Sequence, residues 1–164
     1  MVSLLLTALV VVPAVLAAPA AHHVVRHQVM VPSASHARSC ATRALAVIRA
    51  WDRRRALAWA RGDPAALARL YAVPSRTGRR DRAMLAAYRS RGLRVQSMDR
   101  QVWVLHALTC RARRMSLLLT DRLVDAVAVG RGHRTGLPAG EPATRRVDLR
   151  RDAGTWRVSE VYAR

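Results

Sequence analysis

The sequence contains no lysine, no phenylalanine and no asparagine, and it has only ten acidic residues. All 29 basic residues are therefore arginines, and the formal net charge is +19. A surplus of this size predicts a surface that attracts anionic polymers or lipid headgroups at low salt. With two cysteines, the chain is not a small scaffold held by several disulfides. P-loop, zinc-finger, nucleophile-elbow and dinucleotide-binding signatures are also missing, so no sequence motif argues for those activities.

The amino-terminal part differs in composition from the rest. Residues 2–18 form an uncharged hydrophobic run followed by small residues, a pattern typical of a secretory signal peptide. Because the run is nearly long enough to cross a membrane, we assign residues 1–21 to a signal peptide or a membrane anchor. The expected location is therefore extracytoplasmic, either secreted or anchored to the membrane by this segment.

Residues 22–39 hold four histidines together with proline and serine, and they show neither helical nor strand periodicity. This composition predicts a flexible linker. The histidine spacing matches no defined metal site, so we predict no metal and no cofactor. Residues 40–164 remain for a single domain, a length sufficient to bury a core.

The periodicity of the domain changes near Gly92. Before it, the spacing predicts a long amphipathic helix over 41–61, a break at Gly62-Asp63-Pro64, a short helix to Tyr71 and a third helix over 79–91. After it, apolar residues alternate over 93–98, 101–109 and 115–129, and again near 147–149 and 156–162. This order predicts an α+β domain, with three helices packed on one side of a curved antiparallel sheet.

A carboxylate interrupts the apolar side of the first helix. At 3.6 residues per turn that side collects Ala41, Ala44, Leu45, Ile48, Trp51, Asp52, Arg55, Ala56 and Trp59. Because a buried charge needs a partner, Asp52 is expected to form an ion pair with Arg55 at i+3 or with an arginine from the sheet. The alternative interpretation places Asp52 at the wall of a ligand pocket.

Cys40 and Cys110 are the only cysteines. In an exported protein an even pair favours a disulfide, which would join the start of the first helix to the end of a strand. Two separate thiols are the alternative.

Two segments carry a family resemblance: residues 58–72 (AWARGDPAALARLYA) and residues 145–163 (RRVDLRRDAGTWRVSEVYA). With the order of elements, they resemble the nuclear transport factor 2-like superfamily, which includes the SnoaL-like proteins. The chain also resembles uncharacterised arginine-rich exported proteins of actinobacteria. The resemblance implies a strongly bent sheet that wraps a cone, often with an apolar pocket that contains a few polar groups. It also makes a homodimer formed through the sheet one of the expected assemblies.

The resemblance implies a set of residues that point into the cone. The candidates are Asp52, Tyr71, Trp103 or His106, Asp121, Trp156 and Tyr162. For Trp156 and Tyr162, a place in the apolar core is the other interpretation, because aromatic residues at strand spacing usually lie there. Trp103 and His106 fall on opposite faces of a regular strand, so only one of them is expected to face the cone. Asp121 interrupts an otherwise apolar strand, where a bulge or a solvated edge is the alternative interpretation.

Three functions are consistent with these patterns. We favour non-catalytic binding of a small apolar ligand or a protein partner, because no catalytic His–Asp or Tyr–Asp signature is present. The first alternative is an acid–base enzyme of the isomerase or cyclase type that uses a cone carboxylate. The second alternative is an electrostatic binder of anionic envelope polymer, membrane surface or nucleic acid.

Overall fold

A computed structural model describes residues 34–163. The predicted signal or anchor segment and the linker histidines His22, His23 and His27 lie outside the described residues. The helices are α1 (Ala34–Arg61), α2 (Pro64–Ala68) and α3 (Arg76–Ser90), and the strands are β1 (Arg94–Cys110), β2 (Arg114–Gly130), β3 (His133–Gly136), β4 (Ala143–Asp152) and β5 (Thr155–Ala163). The predicted α+β order is confirmed. None of the helices within residues 34–163 is both long and apolar enough to cross a membrane.

The first helix is longer than predicted. It begins at Ala34 rather than at Ala41, so residues 34–39 of the predicted linker are helical. Ile48 and Trp59 are buried in the core, as their spacing predicts. Leu45 is only half-buried, and Val47 packs against the core instead, so the predicted apolar face is rotated slightly at its amino-terminal end.

The break after α1 follows from three consecutive residues. Gly62 has a positive φ of 63°, which an L side chain adopts only with strain, and it ends the helix. Asp63 caps α2, because its side chain accepts hydrogen bonds from the amides of Ala65 and Ala66. Pro64 occupies the first helical position, where no amide donor is needed.

A glutamate from β5 helps to hold the start of α3. The N-cap of α3 is Ser75, whose side chain accepts a hydrogen bond from the Gly78 amide. Glu160 accepts hydrogen bonds from the amides of Arg76 and Thr77, each at 2.9 Å, and also from the Thr77 hydroxyl. A carboxylate at a helix amino terminus is favoured by the helix dipole, so these contacts fix α3 against the sheet.

The sheet is antiparallel in the order β1-β2-β4-β5, and β3 pairs with β2. Alternate residues of β2 are buried, which places Met115, Leu117, Leu119 and Asp121 on the inner side, towards the helices. Leu118, the neighbour of two of them, belongs to the outer side. The residues paired with it across the sheet continue one outward row: His106, Leu118, Arg146 and Tyr162.

Irregularities in β1 and β5 bend the sheet and change which side chains face inward. The strands predicted at 93–98 and 101–109 are one continuous strand with a positive φ at Ser97. The register shifts between Val102 and Val104 in β1, and between Asp148 and Leu149 in the β4–β5 pair. Such bulges increase the local twist and interrupt the alternation of faces.

A disulfide links Cys40 in α1 to Cys110 at the end of β1. The bridge closes a loop over a sequence separation of 70 residues. In the chain-entropy account, a loop of this length stabilises the folded state by about 4 kcal/mol. The Arg43 guanidinium also lies 2.9 Å from the Cys110 sulfur.

Candidate functional site: the charged interior of the sheet and its mouth

One buried carboxylate accepts hydrogen bonds from three side chains. Nε and Nη2 of Arg55 donate hydrogen bonds to the two carboxylate oxygens of Asp81 in α3, at 2.8 and 2.5 Å. The guanidinium and the carboxylate therefore form a bidentate pair. The Tyr71 hydroxyl donates to Asp81 at 2.7 Å, and the Trp59 indole donates at 3.2 Å. This cluster, the Asp81 hub, joins α1, α3 and the segment after α2.

The close approach at the Asp81 hub depends on a glycine. A Cβ at Gly78 would lie 2.6 Å from Cγ of Tyr71, a distance that side chains do not tolerate. Gly78 therefore lets the first turn of α3 pack directly on the Tyr71 ring, and the hydroxyl reaches Asp81. Burial and the charge of Asp81 raise the pKa of Tyr71 well above its ordinary value, so this hydroxyl stays a donor at neutral pH.

The predicted pair between Asp52 and Arg55 is wrong, and the alternative of an arginine from the sheet is the one that forms. Arg55 is paired with Asp81, and the guanidinium carbon of Arg55 lies 5.7 Å from the centre of the Trp59 ring. The partner of Asp52 is Arg100 of β1, whose Nε lies 3.5 Å from Oδ1. An i+3 spacing permits the first pair, but the bidentate geometry available at Asp81 is stronger.

Arg100 also reaches a second carboxylate deeper in the sheet. Its Nη1 donates to Oδ2 of Asp121 at 2.7 Å. Arg145 of β4 places Nη1 3.1 Å from Oδ1 of Asp121, but it directs no hydrogen bond at that oxygen. Asp121 is only 1% exposed, so the alternative of a solvated edge is wrong at this position.

The carboxylates Asp52 and Asp121 line a small cavity between α1 and the sheet, which we call the inner cavity. Its volume is about 40 Å³. A few water-sized molecules fit such a space, whereas small-molecule ligands need roughly 300–1,000 Å³. Burial raises the pKa of Asp52, and the charges of Arg100 and Arg55 oppose this shift without cancelling it.

A larger depression of about 340 Å³ is lined by residues of α1, α3, β1, β4 and β5, and we call it the mouth pocket. It shares Trp51, Arg100, Arg145 and Val161 with the inner cavity. Its wall combines apolar surface with the Asp81 hub and the exposed Arg80. The mouth pocket is therefore large enough for a ligand of modest size, and the inner cavity is not.

Of the residues expected to face the cone, Asp52 and Asp121 line the inner cavity and Tyr71 lines the mouth pocket. Trp156 packs against the core instead. Trp103 is 45% exposed, and the Arg122 guanidinium lies 5.0 Å from its ring centre. Tyr162 is 36% exposed and faces Arg146 in the same way, at 4.2 Å.

The bulges explain why two of the expected inward positions, Trp103 or His106 and Tyr162, do not face the cone. Because the register shifts beside Trp103, His106 pairs with Leu118 on the outer side, so neither Trp103 nor His106 enters the cone. In β5 a similar shift separates Tyr162 from the face of the fully buried Val158.

Sequence reasoning missed Asp81, Arg100 and Arg145. Asp81 lies in the predicted third helix over 79–91 but was not among the candidate site residues. Its place on the buried side of α3, four residues before the buried Leu85, is a signal that could have identified it. Nothing in the sequence separates Arg100 and Arg145 from the other arginines.

No family model matches the chain, and no curated protein matches it. Among solved structures, it is similar to the intermembrane space region of chloroplast protein ARC6, with a TM-score of 0.52 and 15% identity over 75% of this chain and 95% of that one. It is also similar to a protein of unknown function from Mycobacterium tuberculosis, with a TM-score of 0.52 and 13% identity over 80% and 77% of the two chains. At these identities both likenesses show a shared fold and nothing about activity.

A nuclear transport factor 2-like protein with a cystatin-like fold from Novosphingobium aromaticivorans matches with a TM-score of 0.45 and 14% identity, over 79% of this chain and 87% of that one. This likeness is too loose to add to the argument.

Proposed function

We propose that the chain is an exported, non-catalytic binding domain of the nuclear transport factor 2-like superfamily, and that its mouth pocket takes a small ligand with an apolar body and an acidic group. The observation that carries the proposal is the composition of the mouth pocket. Trp51, Met84 and Val161 supply apolar surface, and the exposed Arg80 supplies a positive charge that no carboxylate of the described residues pairs with. Pockets with this mixture bury the body of a ligand and orient it by its charged end.

The carboxylates of this region are already engaged, which argues for binding rather than catalysis. Asp81 accepts hydrogen bonds from three side chains, and Asp52 and Asp121 both form ion pairs with Arg100. Acid–base chemistry needs a base within reach of the substrate and a donor for the developing oxyanion. The Tyr71 hydroxyl is not free to act as that donor, because it donates its hydrogen bond to Asp81. The raised pKa of Asp52 beside a cavity is the one feature that favours an enzyme, and the volume of the inner cavity opposes it.

Export is supported by two independent features. Residues 2–18 have the hydrophobic character of a signal or anchor segment. The Cys40–Cys110 bridge suits an oxidising compartment, because disulfides rarely persist in the cytosol.

The test uses anilinonaphthalene sulfonate, a fluorescent probe with an apolar ring system and one acidic group. We expect it to bind the full chain, and we expect Met84→Glu to weaken this binding by about tenfold, a change of about 1.4 kcal/mol. Met84 is exposed at the mouth, so the substitution adds repulsive charge without disturbing the core. Leu108→Glu is the matched control, since Leu108 is equally exposed on β1 and is not part of the mouth pocket. Equal effects of the two substitutions would contradict the proposal.

A protein partner at the outer side of the sheet is the second candidate function. Trp103, Tyr162, Arg122 and Arg146 form two exposed aromatic–arginine pairs there. Tryptophan, tyrosine and arginine are the residue types that dominate the energetics of protein interfaces. If a second copy is the partner, the sedimentation coefficient should rise with concentration for the native chain and should not do so for Tyr162→Glu.

A further inference from the structure

A second depression lies between α1, α2 and the β4–β5 hairpin, away from the residues of the mouth pocket. We call it the arginine groove. It has a volume of about 370 Å³, comparable with that of small-molecule sites. Its lining contains Arg54, Arg61, Arg69 and Arg157 and no acidic residue.

Helical spacing creates one wall of the arginine groove. Arg54, Leu57, Ala58 and Arg61 follow one another at i, i+3, i+4 and i+7, so they lie along one side of α1. Ala58 is buried, whereas Leu57 is 52% exposed between the two arginines. The wall therefore offers a cation, an apolar patch and a second cation along two turns of helix.

The two other arginines come from different elements. Arg69 follows α2, and Arg157 extends from β5. The Nε atom of Arg157 is buried and has no hydrogen-bond partner among the described residues. A buried donor without an acceptor costs stability, and the residue that carries it lines the arginine groove.

The charges of the arginine groove are poorly balanced by acidic residues. Within residues 34–163, none of its four arginines forms an ion pair with a carboxylate. The nearby Asp63 is committed to capping α2: hydrogen bonds from the Ala66 and Ala65 amides lower its pKa, and the charges of Arg69 and Arg61 contribute to the same shift. One capping carboxylate leaves most of the positive charge of four guanidinium groups uncompensated.

We infer that the arginine groove is a binding site for phosphate esters that carry more than one negative charge. Guanidinium groups present paired N–H donors that match phosphate oxygens, and several of them converge here from three elements. The exposed Leu57 gives the body of such a ligand an apolar contact beside its phosphates. Two sources share this chemistry, namely a free phosphate ester and the headgroup of an anionic phospholipid.

The experiment separates a local site from the overall charge of the chain. Calorimetric titration of the full chain with inorganic pyrophosphate, at about 0.15 M salt to screen exposed charges, should detect binding. The variant Arg61→Gln/Arg69→Gln should bind pyrophosphate at least about tenfold more weakly, because two converging charge-assisted contacts are lost. The control Arg49→Gln/Arg111→Gln removes the same charge from exposed positions outside the arginine groove and should change the affinity less than about twofold.

A second variant, Arg157→Gln, tests the buried atom, and its near-ultraviolet circular dichroism verifies that it is folded. A lost affinity in a folded Arg157→Gln protein supports the inference. Equal losses in the groove variant and the control, or no pyrophosphate binding at all, would overturn it.

Cosedimentation with phosphatidylglycerol vesicles, against phosphatidylcholine vesicles, distinguishes the two sources. If the phosphate site is present and Arg61→Gln/Arg69→Gln also lowers vesicle binding more than the control does, the source is the lipid headgroup. If vesicle binding is the same for the two variants, the source is a free phosphate ester. The anilinonaphthalene sulfonate test uses different residues, so either proposal can fail without the other.

Discussion

The interior of the sheet and the arginine groove both contain several arginines, but only those of the interior are matched by carboxylates. Arg55, Arg100 and Arg145 each contact an aspartate at 3.5 Å or less, and those aspartates are largely removed from solvent. The arginines of the groove have no such partners among the described residues. An arginine of the interior is therefore expected to support the fold, and an arginine of the groove is expected to support recognition.

The largest expected effect comes from breaking the Asp81 hub. In Asp81→Ala, the partly buried Arg55 loses its bidentate partner, and the Tyr71 hydroxyl and the Trp59 indole lose their acceptor. Removing one member of a buried ion pair costs about 3–5 kcal/mol, because the remaining charge is left without compensation. Urea unfolding would measure this loss. Asp125→Ala is the control, since it removes the same charge from an exposed position and should leave stability unchanged. A similar, small effect of both substitutions would remove the distinction drawn between the two regions.

A change of pH is expected to have an intermediate effect on stability, because the pKa values of two carboxylates, Glu160 and Asp52, shift in opposite directions. Burial favours the protonated form of Glu160, but its hydrogen bonds from Thr77 and the Arg76 amide outweigh this and lower the pKa. Its contribution to stability is therefore present above the unfolded-state pKa and is lost as pH falls through the lower folded value. Burial raises the pKa of Asp52, so its contribution is present below the unfolded-state value and is lost as pH rises through the folded value.

Unfolding free energies measured from pH 3 to pH 7 would compare the native chain with Glu160→Gln and with Asp52→Asn. The advantage of the native chain over Glu160→Gln should grow as pH rises. The stability advantage of the native chain over Asp52→Asn should become smaller as pH rises. Parallel curves would contradict the opposite environments assigned to the two groups.

The smallest expected effect comes from substitutions in the arginine groove. Arg61→Gln and Arg69→Gln remove exposed side chains without ion-pair partners among the described residues, so each should change the free energy of unfolding by no more than about 0.5 kcal/mol. Thermal unfolding in low salt would measure it. Because positive charges repel one another in this region, a slight gain in stability is the expected direction. A loss above about 1 kcal/mol would mean that these arginines serve the fold after all.

The features predictable from the sequence are those that depend on local spacing. The Gly62-Asp63-Pro64 break has the predicted geometry, and Ile48 and Trp59 are buried because a helix repeats every 3.6 residues. These patterns involve neighbours in the chain, and tertiary packing did not override them.

The partners of the charged residues could not be predicted in the same way. Asp81 and Arg55 are 26 positions apart, and Arg100 and Asp121 are 21 apart. The first pair depends on how α3 packs against α1, and the second depends on the register of β1 against β2, which shifts at bulges that no residue type announces. A shift of one residue exchanges the two faces of a strand, and it placed Trp103 and Tyr162 outside the cone.

The Cys40–Cys110 bridge makes most of α1, together with α2, α3 and β1, a single covalent ring, from which β2 to β5 continue as a tail. A protease that cleaves once beside Val73, the most exposed large apolar residue in the described part of the chain, would open the ring without releasing a fragment. Such a nicked molecule would gain one water but would keep all of its residues covalently joined until a thiol reductant separated it into two pieces. Backbone damage on the helical side of the protein is therefore survivable, whereas a cut in the tail would detach strands of the sheet.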